Sequence, residues 1–139
     1  MRENERVTEM TAEDYDSVER AQQVMQERWR PASLNAQVDA WACLVQEIED
    51  GYSMTVDDYT NDLSVREWLD QVRPMLTEHV RNSLSSRLAP LDERFDEATA
   101  IPSRPLPGCG TGRWCRVPRR LIGELREDAL KMNFAPSAT

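Results

Sequence analysis

Residues 33–73, SLNAQVDAWACLVQEIEDGYSMTVDDYTNDLSVREWLDQVR, constrain the fold more than any other stretch of the chain. Leu34, Val38, Trp41, Leu44, Val45 and Ile48 recur at three- and four-residue spacing. That spacing draws one apolar stripe along a 3.6-residue helix. Asp39, Gln46, Glu47, Glu49 and Asp50 fall mainly on the opposite side, so the helix is amphipathic and needs a partner for one face. Gly51 stands where the chain must leave the helix through a backbone conformation that disfavours a Cβ. Tyr52 follows, placed to fold back on the last turn. Thr55 and Asp58 then have capping-box spacing, and Asp57 and Asp58 suit the positive end of a new helix dipole. Ser64 and Glu67 repeat that spacing and predict a further helix start, with Val65, Trp68, Leu69 and Val72 as its apolar face.

The flanking segments read in the same way. Thr11 and Asp14 form a capping box, and the helix they open is expected to run to about Trp29, before Pro31. Tyr15, Val18, Met25 and Trp29, with Gln22 among them, set its stripe. This segment, 11–30, packs on its own domain or forms a separate N-terminal arm able to make a homodimer. Pro74 is expected to open the next helix at an early position. Leu76, Val80, Leu84, Leu88, Leu91, Phe95 and Ala98 carry one stripe through Pro90, which predicts a kinked helix or two pieces nearly in line. IPSRPLPGCGTGRWCRVP, residues 101–118, is too rich in Pro and Gly for regular helix. Helix resumes after Pro118, with Leu121, Ile122, Leu125, Ala129 and Met132 on one face.

β-branched residues are sparse and no alternating pattern persists, so the expected class is all-α. With 139 residues, of which 40% are hydrophobic, there is material for a single core. The expected architecture is a single-domain bundle of five or six helices over residues 11–134, with a Pro/Gly-rich loop before the last helix. Residues 1–10 are expected to be a flexible N-terminus and 135–139 a flexible tail. No apolar core of a signal peptide opens the chain, and the run Ala40–Val45 is far too short to span a membrane. A bacterial cytoplasm is the expected compartment.

Charge is distributed unevenly. Residues 31–65 hold seven acids (Asp39, Glu47, Glu49, Asp50, Asp57, Asp58, Asp62) and no base, whereas 98–120 hold five arginines (Arg104, Arg113, Arg116, Arg119, Arg120) and no acid. The acids Glu47, Glu49, Asp50, Asp57, Asp58 and Asp62 define a candidate binding face for another protein, basic in character. The basic loop, with Trp114, is a second candidate. It is expected to lie over the chain's own acids Asp57, Asp58 and Asp62, or over a partner's copy of them. Nucleic-acid binding through 104–120, with Trp114 stacking on a base, is opposed by residues 1–97, which carry 10 bases against 22 acids, a net charge of −12.

No motif points to a catalyst or a cofactor. Gly108–Trp114 lacks the Lys-Ser/Thr of a P-loop and the strand and helix of a dinucleotide loop. Cys109 and Cys115 are not at zinc spacing. A disulfide between them is geometrically feasible but is not expected to persist in a reducing compartment. Cys43 reads as a small core residue. His79 has no partner in sequence for a catalytic arrangement. Asp57, Asp58, Asn61 and Asp62 offer the alternative of a small metal-dependent enzyme, which requires those carboxylates to meet His79 or Glu47 in one pocket. A calcium loop is excluded because EDGYSMTVDD lacks its ligand alternation and central Gly. Trp29, Tyr52, Tyr59, Trp68 and Trp114 are anchor candidates for an interface, with core packing favoured for Trp41 and Trp68.

WACLVQEIEDGYSMTVDDYTNDLSVREWL, followed by LDERFDEAT and RWCRVPRR, resembles a set of small acidic proteins of actinobacteria. The resemblance spans roughly residues 38–120. It implies a helical bacterial cytoplasmic protein and carries over no catalytic residue. The best functional reading is a non-enzymatic interaction or regulatory module that uses its acidic face.

Overall fold

The computed structural model describes residues 10–27 and 32–137, and these form an all-α single-domain helical bundle. The first helix ends at Gln26 with Glu27 as its C-cap, short of the expected Trp29; Trp29 and Pro31 lie outside the described residues. Among the described residues five α-helices follow in order: α1 (Ala12–Gln26), α2 (Leu34–Asp50), α3 (Val56–Val72), α4 (Glu78–Ala98) and α5 (Gly123–Met132). A 3-10 turn (Arg73–Met75) joins α3 to α4, and a minimal antiparallel pair, β1 (Thr99–Ala100) with β2 (Val117–Pro118), closes the Pro/Gly-rich loop.

The core is built on α2. Leu34, Val38, Trp41, Leu44, Val45 and Ile48 are all buried, so every member of the predicted stripe faces inward. α3 and α4 pack against that face. The Ser33 hydroxyl accepts from the Ala36 N–H and starts the helix. Gly51 ends it at φ +117°, its N–H donating to the Glu47 carbonyl. A Cβ on Gly51 would stand 2.7 Å from Cδ1 of Ile122, so this glycine also allows the segment before α5 to approach the α2–α3 turn. Gly123 opens α5 at φ +59°, where a Cβ would stand 2.7 Å from the Ser53 carbonyl oxygen. Its neighbour Glu124 donates its N–H to that oxygen at 2.9 Å.

Several local expectations are corrected. Ser64 does not start a helix: α3 is continuous from Val56, and the Ser64 hydroxyl bonds back to the Asn61 carbonyl. A capping-box spacing inside an established helix has no free N–H groups to cap. Pro74 sits in the 3-10 turn, and Thr77 caps α4 instead. Pro90 lies inside one unbroken helix, so the stripe is carried by a single element and not by two pieces. α5 begins at Gly123, later than expected. The stripe of α1 is rotated by about one residue: Asp14, Ser17, Ala21 and Met25 are buried, whereas Tyr15 is 61% exposed.

That rotation reflects a polar anchor. The Asp14 carboxylate accepts from the Thr11 N–H at 3.0 Å and from the Thr77 hydroxyl at 2.6 Å. The Ser17 hydroxyl accepts from the Thr77 N–H. α1 is thus fastened to the start of α4, and its Met25 belongs to the chain's own core. These hydrogen bonds, the Thr11 N–H foremost, hold the Asp14 carboxyl below its ordinary value. Residues 135–137, expected to be loose, are tied down: Ser103 donates to the Ala135 carbonyl and Ser137 to the Ile101 carbonyl.

Candidate functional site

Two charged regions result, and they differ in how their charges are compensated. The first lies where α2 turns into α3. Glu47 and Asp50 are exposed on the last turns of α2, and Asp57 and Asp58 on the first turn of α3. Thr55 caps α3 through the Asp58 N–H, and its hydroxyl donates to the Asp58 carboxylate at 2.9 Å. The Val56 N–H is taken by the Asp128 carboxylate of α5 at 2.8 Å. Asp62, one turn along, accepts the Tyr52 hydroxyl at 2.7 Å. The phenol of Tyr52 is pushed well above the usual tyrosine range, first by burial, then by the bond to Asp62, then by the fields of Asp58 and Glu47. Asp62 alone bonds that hydroxyl, and the charges of Asp58 and Glu47 act on it from a distance. In the turn between α2 and α3, Met54 is 48% exposed.

Glu49 departs from this group. It forms an ion pair with Arg94 of α4 at 2.6 Å, which holds its carboxyl below the ordinary value. Asp50 accepts only the Gln46 amide, at 3.2 Å. Among the described residues, no base forms an ion pair with Glu47, Asp50, Asp57, Asp58 or Asp62.

The second region is a clasp between α3, α4 and the loop. Arg66 is buried, its side chain 4% exposed, and all its polar contacts are to acids. Its Nε and Nη2 bond the two oxygens of Asp92 at 3.0 and 2.7 Å, and Nη1 bonds Asp70 at 2.6 Å. Burial pulls the guanidinium pKa down, but the two carboxylates outweigh it and hold it above its ordinary value. The indole N–H of Trp41 donates to Asp92 and that of Trp114 to Asp70. The guanidinium of Arg66 lies 4.1 Å from the centre of the Trp114 ring, and that of Arg113 lies 4.0 Å from it. Phe95 and Trp41 complete the aromatic cluster.

The basic loop is not laid over Asp57, Asp58 and Asp62 as expected. Arg113 pairs with Asp96 of α4 at 2.9 Å, and Arg116 reaches the same carboxylate at 3.8 Å. Arg116 also donates to the Thr99 hydroxyl and carbonyl, while its own carbonyl accepts the buried Tyr59 hydroxyl. The β1–β2 pair brings Arg116 to the end of α4, which is why Asp96 wins over more distant acids. Arg104, Arg119 and Arg120 are exposed, and the Arg120 Nε comes within 3.9 Å of where a Cβ on Gly51 would stand.

Cys109 and Cys115 are joined in a disulfide, contrary to expectation. The loop folds back on itself through the Leu106–Gly110 bridge, which brings the two cysteines together. Cys43 is exposed on α2, not a core residue, because its position falls off the Trp41–Leu44–Val45 face. Of the proposed anchors, Tyr52, Tyr59 and Trp68 are buried in the core and Trp114 is half-buried in the clasp. His79 lies beside Asp14, past the far end of α3, roughly 25 Å along the helix from Asp57. Among the described residues no three His, Cys, Asp or Glu side chains gather to hold a metal ion. None of the helices among the described residues is long and apolar enough to cross a membrane.

The fold and the two charged regions define the class: a small helical bundle with an acidic corner free of ion pairs among the described residues and an ion-paired aromatic clasp. Comparison with protein families, with curated proteins and with solved structures finds no match to this chain.

Proposed function

We propose that the chain is a non-enzymatic interaction module whose α2–α3 corner docks a basic region of another protein. The observation that carries this reading is the unequal use of arginines. Asp70 and Asp92 share Arg66, Asp96 takes Arg113, and Glu49 takes Arg94. Among the described residues every ion pair lies outside the corner: Arg120, whose Nε stands near Gly51, forms none, and the corner acids stay unpaired. A concentrated negative field attracts a basic partner from a distance and speeds encounter. Met54, 48% exposed in the α2–α3 turn, offers an apolar contact to such a partner. A cytoplasmic setting belongs to the same proposal.

The test is a comparative pull-down from bacterial lysate at low and high salt. The bait is the intact chain, its corner variant Glu47→Gln/Asp57→Asn/Asp58→Asn, and a control of equal charge, Glu13→Gln/Asp16→Asn/Glu19→Gln on α1. A basic protein retained by the intact chain and the control, and lost with the corner variant or at high salt, supports the reading. Equal recovery by all three baits, or none by the intact chain, refutes it.

A further inference from the structure

We propose that the Cys109–Cys115 disulfide is a thiol–disulfide exchange site, open to small thiols through the cleft between α3 and the loop. The cleft has a volume of about 410 Å³ and is lined by both cysteines, by Gly112 and Trp114, and by Ser64 and Glu67 of α3. Both cysteines are only half-buried. A disulfide that served purely as a staple would gain from burial; this one faces a cavity large enough for a small thiol.

The ring is built to open without unfolding its surroundings. Gly108 and Gly110 have φ of +77° and +79°, and a Cβ on either would meet nothing within 4 Å. The ring stands off the body on that side. Its flanks do not: Leu106 and Val117 are 1% and 0% exposed, and β2 pairs with β1. Inside the ring, the polar grips on the body are the Arg113–Asp96 ion pair and the Trp114 indole bond to Asp70. Breaking the sulfur bridge therefore frees the segment that delivers Arg113 and Trp114 to the clasp, while both ends stay anchored.

The chemistry balances with a small thiol as reductant. A thiolate attacks one ring sulfur, forming a new sulfur–sulfur bond as the Cys109–Cys115 bond breaks. The displaced electron pair leaves on the other cysteine sulfur, which takes a proton from water. A second thiolate attacks the outer sulfur of the mixed disulfide, releasing the oxidised small thiol and leaving two cysteine thiols. Two electrons enter the chain. The oxidised small thiol reverses both steps. In a reducing compartment, disulfides of this accessible kind are transient or redox-sensing.

The experiment equilibrates the oxidised full-length chain in glutathione buffers of varied ratio, quenches with acid, and counts alkylated thiols by mass. The chain carries Cys43→Ser, because that exposed thiol would itself form a mixed disulfide with oxidised glutathione. The expected result is no alkylated thiol per chain in oxidising buffer and two in reducing buffer, with a reversible crossover between them. Hydrogen exchange of 107–116 rises by up to roughly 50-fold on reduction, the limit for releasing a ring of this length, and α2, α3 and α4 keep their protection. A count fixed at zero in millimolar reduced glutathione overturns the proposal, because the bond is then a closed staple. A count of two at every ratio also overturns it. So does a Cys109→Ser/Cys115→Ser chain, or a reduced chain, that loses the α2–α4 protection.

Discussion

Replacing Arg66 with Met tests whether the clasp organises the bundle. The substitution keeps much of the side-chain volume and removes the charge. The two bonds to Asp92 contribute about 1.5–3 kcal/mol each as charge-assisted hydrogen bonds. The stacking on Trp114 adds about 1–2 kcal/mol in a desolvated setting. Against this, the guanidinium no longer has to be desolvated, and removing one member of a buried pair costs about 3–5 kcal/mol net. Asp70 is 44% exposed and Asp92 21% exposed, so both rehydrate in part and the low end applies. The expected loss is about 3 kcal/mol, or a fall of about 10 °C in Tm for a chain of this size. Thermal unfolding followed by circular dichroism reads it. Asp92→Asn keeps an acceptor for Trp41 and closes a double-variant cycle, in which Arg66 and Asp92 should couple by about 2 kcal/mol. A Tm within 2 °C (about 0.6 kcal/mol) of the parent, or additive losses in the cycle, would refute the clasp.

Other outcomes follow from single contacts. Asp62→Ala leaves the buried Tyr52 hydroxyl without its acceptor and is expected to destabilise by about 1–3 kcal/mol in urea unfolding; a neutral result would mean that water serves that hydroxyl equally well. Gly123→Ala places a Cβ against the Ser53 backbone and forces φ +59° on alanine, so a loss of about 2 kcal/mol is expected, with α5 exchanging amide protons faster. Burial raises the phenols of Tyr52 and Tyr59 above their ordinary value of 10.0, Asp62 adding to the effect at Tyr52. The folded state then keeps its phenolic protons while the unfolded state loses them, so their contribution is whole below pH 10 and declines above it. Stability should fall by up to about 1.4 kcal/mol per pH unit for each tyrosine, and tyrosinate absorbance should rise together with unfolding. At the acid end, the lowered carboxyls of Asp14 and Glu49 stabilise above their ordinary values of 3.8 and 4.5, and that support is lost as the pH falls through their folded values. Acid unfolding that begins at an unchanged pH in Asp14→Asn and Glu49→Gln chains would contradict the assignment.

Local rules carried much of this fold, and long-range polar contacts carried the rest. The α2 stripe and its Gly51 stop are consecutive signals within one helix, and both are legible; the Ser33 cap is a finding of the structure. The false start at Ser64 shows the limit of such rules: a capping pattern acts only where free N–H groups exist, and Thr55 had already begun that helix. Apolar spacing does not give the phase of α1, because its inward face carries Asp14 and Ser17, polar groups whose partner, Thr77, lies some 60 residues away. Arg66 and Asp92 were missed for the same reason. Their chemistry depends on two helices crossing, and the only sequence trace is Arg66 lying in the turn between Leu63 and Leu69, with Asp70 four residues on. The destination of the loop arginines was set by the β1–β2 pair, which two residues on each strand could not announce.

The most direct measurement is a titration of the isotope-labelled chain with a short arginine-rich peptide, followed by two-dimensional NMR at low salt. Saturable shifts confined to residues 47–62, lost in the Glu47→Gln/Asp57→Asn/Asp58→Asn chain and suppressed by salt, are the predicted result. Shifts spread evenly over the acids of α1, α4 and α5, unchanged by those three substitutions, would contradict a docking corner between α2 and α3.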